Sequence, residues 1–154
     1  MTRPALLDVT VQRDGVRSPV ATDRLERLAR LTLRALGVRR GMLSVTLVTA
    51  PAMARLNRRH LGHRGPTDVI TFALGTDAAG GTVGDIYICP EVARQQARDF
   101  GVGVREELAR LVVHGLLHSC GWDHPEGDDR MGSPMWRRQE QLLTRFWPSL
   151  AGRG

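Results

Sequence analysis

The spacing of apolar and polar positions divides the chain into short strands and helices that alternate. Leu6 to Val11 alternates weakly, the period of a half-buried strand. A turn is expected at Arg13-Asp14-Gly15. From Asp23 to Leu36, the residues Leu25, Leu28, Ala29, Thr32 and Leu36 recur at helical steps, which predicts an amphipathic helix. Asp23 and Glu26 are spaced as a capping box at its start, and Gly37 stands where a left-handed terminal glycine belongs. Leu43 to Thr49 is rich in β-branched residues and predicts a second strand. Pro51 fits the first helical position of a short helix reaching about His60.

Val69 to Phe72 predicts a short strand, residues 75–81 a loop of small residues, and Val83 to Ile88 another strand. Pro90 and Glu91 open a helix that ends near Gly101. The next helix starts after Gly103, with Glu106 and Glu107 placed favourably for its dipole. Its residues Leu111, Val112, Val113, Leu116 and Leu117 cover most of the circumference, the pattern of a central, buried helix. A last helix spans Pro134 to Phe146. The order predicts an α+β fold with one mixed, mostly parallel sheet of about four strands and about five helices.

Composition narrows the picture. A chain of 154 residues fits one domain spanning residues 1–154, with a core that needs no staples. No stretch approaches the roughly 18 to 20 apolar residues of a membrane span. Asp8 interrupts the only apolar run near the start, so no signal peptide is expected and a cytoplasmic location follows. Cys89 and Cys120 are then reduced core thiols. The net charge is +6, and all 22 basic side chains are arginine. That charge fits an arginine-favouring composition or a phosphate-rich partner.

The candidate chemistry sits in HGLLHSCGWDH, residues 114–124. His114 and His118 are four apart on the central helix and point the same way, at a separation one zinc ion can bridge. Gly121 permits the left-handed turn that brings His124 back to the same ion. Three neutral ligands leave a fourth position for water, the arrangement of a catalytic site. Cys120 or Asp123 as a fourth ligand would make the site structural instead. Zinc peptidases with a related spacing place a glutamate general base after the first histidine. Here Gly115 occupies that position, which argues against peptide hydrolysis.

Three stretches together resemble the YbeY family of bacterial endoribonucleases. They are HGLLHSCGWDH, PTDVITFAL at residues 66–74, and GDIYICPEVARQQA at residues 84–97. The resemblance implies a single α+β domain with one zinc held by His114, His118 and His124. It implies cleavage of single-stranded RNA, 16S rRNA 3′-end maturation, a role in ribosome quality control, and rRNA precursors and the ribosome as partners. Neither DNA nor a membrane is expected. The alternatives are a non-catalytic ribosome-assembly factor with structural zinc and a metallopeptidase-like hydrolase. The chain departs from the family pattern at Leu61, where an arginine linked to activity is usual, and at Ser119, Cys120 and Trp122.

Other residues carry weaker expectations. Arg58 or Arg59 is the candidate RNA-binding cation that compensates for Leu61, with Arg64 a further candidate. His60 and His63 extend the same basic stretch. Asp123 is a candidate acceptor orienting a ligand histidine, or a turn aspartate. Asp85 either faces the site or holds a loop. Thr67 and Asp68 fix the turn into their strand, and Met135 packs beneath the site. The run Asp128-Asp129-Arg130 reads as a solvated loop.

Overall fold

The computed structural model describes residues 6–152. Strand β1 (Leu7–Asp14) is followed by helix α1 (Thr22–Ala35), strand β2 (Gly41–Val48) and helix α2 (Ala50–Leu61). A hairpin of β3 (Val69–Thr76) and β4 (Thr82–Ile88) comes next. Helices α3 (Pro90–Phe100), α4 (Val104–Ser119) and α5 (Pro134–Leu150) complete the chain, with a short 3-10 turn at Asp128–Gly132. The four strands form one sheet in the order β1-β2-β4-β3. β1, β2 and β4 run parallel, and β3 pairs antiparallel with β4 at the sheet edge. The single α+β domain expected from the sequence is what forms.

The strand period sorts side chains onto two faces. Leu43, Val45 and Leu47 of β2, with Ile86 and Ile88 of β4, enter the main core beneath α1, α4 and α5. Tyr87 and Phe72 point to the other face, where Met53 and Leu56 of α2 meet Val48, Ile70 and Cys89 in a smaller core. Helix α4 is buried over nearly all its length, as its all-round apolar sequence requires. Glycine sets how near α4 can come to the sheet. A Cβ on Gly84 would lie 2.5 Å from Ser119 Oγ, and a Cβ on Gly115 would lie 2.8 Å from Ile86 Cγ2. Each small residue receives the partner opposite it.

Several local expectations are corrected. The capping box at α1 does not form: Ala21 is the N-cap, Asp23 lies inside the first turn, and Glu26 pairs with Arg30 at 3.2 Å. Thr49 caps α2 by accepting the Ala52 N–H at 3.3 Å, so Pro51 is the second helical residue rather than the first. β1 continues through Asp14, because all eight of its residues pair with β2. β3 continues to Thr76 through an irregularity between Ala73 and Thr76. Its turn is closed by Asp77, whose carboxylate accepts the N–H groups of Ala79 and Gly81. α5 runs on to Leu150 and tolerates Pro148 in its last turns.

Candidate metal centre

α4 presents His114 and His118 one turn apart at its C-terminal end. Gly121 then takes φ 92°, and the following segment returns His124 to them. The ring centroids lie 4.7 to 5.2 Å apart. One ligand nitrogen from each ring lies within 4.8 Å of the others.

The rings are aimed by their second nitrogens. His114 Nδ1 is 2.7 Å from Gln139 Oε1 of α5. His118 Nδ1 is 3.0 Å from the Trp122 carbonyl, and His124 Nδ1 is 2.9 Å from the Pro125 carbonyl. All three partners are acceptors, so each Nδ1 carries the proton and donates. The Gln139 amide nitrogen donates to Glu140 at 3.0 Å, which turns its oxygen toward His114. Every Nε2 is left with a free lone pair. A neutral ring with a fixed tautomer is the ligand form of histidine, and an outer acceptor of this kind is what metal-binding histidines recruit. Burial, chiefly, lowers the His114 pKa to about 4, and burial also lowers that of His118. Both are neutral at neutral pH, as metal binding requires. Three converging imidazoles, two of them held neutral by burial, therefore fit a divalent ion of zinc type.

The rings open into a cavity of about 950 Å³. Its walls include Thr67, Asp68 and Thr71 of the β3 side, Phe100, and Trp122 and Trp136. Asp68 accepts the Val69 N–H at 2.8 Å and its carbonyl accepts from Cys89, so with Thr67 it shapes the entry to β3 as expected. Leu61 lines the cavity, half exposed at 51%. Arg58, Arg59 and Arg64 are exposed and line none of it. His60 stacks edge-on against Phe72 at 5.1 Å, on the other face of the sheet, and His63 is exposed. The arginines that do line the cavity are Arg110 and Arg130. Arg110 is held by Glu140 at 3.0 Å and by Glu106 and Glu107.

Asp123 accepts the backbone N–H of its neighbour His124 at 3.0 Å. That is a turn contact, and the ring acceptors are Gln139 and two carbonyls instead. Cys120 caps α4 and does not join the histidines. Asp85 accepts from Ser44 and from Tyr87 on the face of the sheet away from α4. Met135 is buried in the main core in the first turn of α5. Asp129 is exposed, Arg130 is half-buried, and the Asp128 side chain lies outside the described residues. Sequence reasoning missed Gln139. The available signal was one amide within the buried stripe Met135, Gln139, Leu142 and Leu143.

The comparisons with known proteins agree with this geometry. A family model described as Endoribonuclease YbeY matches residues 11–147. An Endoribonuclease YbeY of Beutenbergia cavernae is 42% identical over 147 residues, covering 88% of this chain and 95% of that one. The Endoribonuclease YbeY of Thermobifida fusca is 39% identical, covering 86% of this chain and 90% of its own. A solution structure of a Thermotoga maritima protein superposes with a TM-score of 0.64 at 28% identity, covering 93% of this chain and 91% of that one. On the histidine geometry, the fold and these matches together, this chain belongs to the YbeY family of endoribonucleases.

Proposed function

We propose that the chain is a zinc-dependent endoribonuclease that cuts single-stranded RNA in the cavity beside His114, His118 and His124. The observation that carries this reading is the set of three Nδ1 atoms, each engaged by a protein acceptor, in a cluster whose ligand atoms lie within 4.8 Å of one another. A divalent ion held there supplies Lewis-acid stabilisation of the charge that builds on the phosphate. The protein's part is to keep His114 and His118 neutral by burial, to fix the tautomers of the three rings and to hold them without reorganisation. Gln139 does this for His114 from α5, and the carbonyls of Trp122 and Pro125 do it for the other two. Gly115 packs on Ile86, so position 115 offers no general base and peptide hydrolysis is disfavoured.

In this reading the substrate is precursor rRNA at the 3′ end of 16S rRNA, on or near the ribosome, in the cytoplasm. Processing there also serves ribosome quality control. No helix among the described residues is long and apolar enough to cross a membrane. Arg58 and Arg59 lie at the end of α2 beside Leu61 and contact the RNA backbone outside the cavity, adding affinity without sequence preference.

The test incubates purified protein with end-labelled single-stranded RNA, duplex RNA and casein. Each is run as isolated, after chelation, and after zinc is restored. Cleavage of single-stranded RNA alone, lost on chelation and regained with zinc, is expected. Cleavage that survives complete metal removal, or hydrolysis of casein, overturns the reading. In cells lacking the chain, 16S precursors should keep an extended 3′ end.

A further inference from the structure

The wall of the cavity along α3 is unlike the rest. Phe100, the last residue of α3, lines the cavity with 60% of its surface exposed. Gly101 follows at φ 68° and turns the chain away, which leaves the ring at the mouth. Gln96 stands one turn earlier, four residues before Phe100, and lines the same cavity. Its carboxamide makes no hydrogen bond among the described residues, whereas its neighbour Gln95 is engaged with both Asp99 and Arg98. An aromatic face and an unengaged amide thus share one face of one helix.

RNA offers three kinds of surface: phosphate, ribose and base. This wall is not a phosphate site. Of the two arginines that line the cavity, Arg110 is committed to three glutamates and Arg130 belongs to the 3-10 turn rather than to α3, while Glu107 and Asp68 add carboxylates. The part of RNA that matches an exposed aromatic ring and a free amide is a nucleobase, which has a π-face to stack and an edge of donors and acceptors. An amide side chain can pair with such an edge through two hydrogen bonds, best with adenine. In an RNA duplex the faces are stacked, and the adenine edge that an amide pairs with lies in a deep, narrow major groove that side chains cannot enter. The wall therefore contributes to selection of single strands.

We propose that Gln96 and Phe100 form a subsite for one unpaired nucleobase of the RNA, close to the bond that is cut. The ring of Phe100 stacks on the base, and the carboxamide of Gln96 reads its edge. This rests on the ribonuclease reading above and adds the part of the substrate that the α3 wall holds.

The test measures binding and cleavage of short single-stranded RNAs that carry, position by position, an intact adenine, the fluorescent base 2-aminopurine, or an abasic ribose. The proteins are wild type, Phe100→Ala, Phe100→Tyr and Gln96→Ala, each checked for metal content and melting temperature. At one position, wild type should quench 2-aminopurine, and the abasic substitution should weaken binding about tenfold. Phe100→Ala should lose the quench and weaken intact RNA similarly, yet bind the abasic RNA no worse than wild type does. Phe100→Tyr should restore both quench and affinity. Gln96→Ala should narrow the difference between adenine and the other bases at that position. The subsite is overturned if Phe100→Ala binds intact RNA as wild type does. It is equally overturned if Phe100→Ala weakens intact and abasic RNA alike, which would mark a structural ring or a protein-docking patch. Failure of wild type to cleave any RNA would instead refute the ribonuclease reading.

Discussion

Gly115 of α4 lies directly over Ile86 of β4, so close that a Cβ on residue 115 would sit 2.8 Å from Ile86 Cγ2 and 3.1 Å from its Cδ1. The glycine after the first histidine is therefore a packing requirement. Gly115→Ala is expected to cost about 1–3 kcal/mol, since Ile86 or the helix must move within a close-packed core. Gly115→Glu should fail to fold and gain no peptidase activity, because position 115 faces the sheet. Thermal unfolding measures the first effect. A double variant with Ile86→Ala should lose less than the two single losses added together.

His118→Ala should hold well under one equivalent of zinc, measured by elemental analysis of protein dialysed against metal-free buffer. Full occupancy in that variant would mean that the three histidines are not one site.

Gln139 is the sole side chain among the three ring acceptors. Gln139→Leu removes the partner of the buried His114 Nδ1–H and should weaken zinc binding about 10- to 100-fold in a chelator competition. Gln139→Glu keeps an acceptor for His114 but sets a second carboxyl against Glu140, so it should bind zinc more tightly than Gln139→Leu while melting below wild type. Equal affinity in Gln139→Leu and wild type would show that His114 needs no orientation.

The stability of the metal-free protein should depend on pH through His114. Its pKa is lowered to about 4 in the fold, against an unfolded value near 6.5. Between those values the unfolded chain binds a proton that the folded chain does not. Stability from this residue is therefore full above pH 6.5 and falls as the pH drops toward 4, by up to roughly 3 kcal/mol. Burial raises the Glu107 pKa, which acts in the opposite sense. The difference between wild type and His114→Gln, followed by urea unfolding across pH 4 to 7, isolates the histidine. A flat difference would contradict the expected burial cost.

Leu61 lines the cavity, while Arg58 and Arg59 lie outside it. Leu61→Arg should speed RNA cleavage several-fold by placing a cation near the phosphate. Arg58→Ala and Arg59→Ala should each weaken RNA binding and lower the salt slope by about 1. Loss of turnover at saturating RNA in either alanine variant would place that arginine in the cavity after all.

Long periodic segments announced themselves in the sequence. The all-round apolar run of α4, the β-branched run of β2 and the strand β4 formed to within two residues of where the pattern put them, with Thr49 passing from the end of β2 to the cap of α2. The histidine cluster was legible because helix geometry fixes where residues 114 and 118 point, and a glycine marked the turn to 124. What stayed hidden depends on long-range contact. β1 and β3 outrun their apolar patterns because neighbouring strands supply hydrogen bonds to polar residues. Asp85 is turned from the site by strand parity, which cannot be assigned until the helix-covered face is known. Gln139 meets His114 across 25 residues of sequence, and no local spacing encodes that meeting.

Two of the three imidazoles are aimed by atoms that every amino acid possesses, the carbonyls of Trp122 and Pro125. Side chains in the segment after α4 can then be exchanged over generations while the histidine rings keep their aim. Drift is costlier at Gln139, a remote position on another helix whose own side chain does the aiming. Relatives too diverged to share the letters between the second and third histidines should still share the spacing of the three, together with a polar residue in the buried stripe of the last helix.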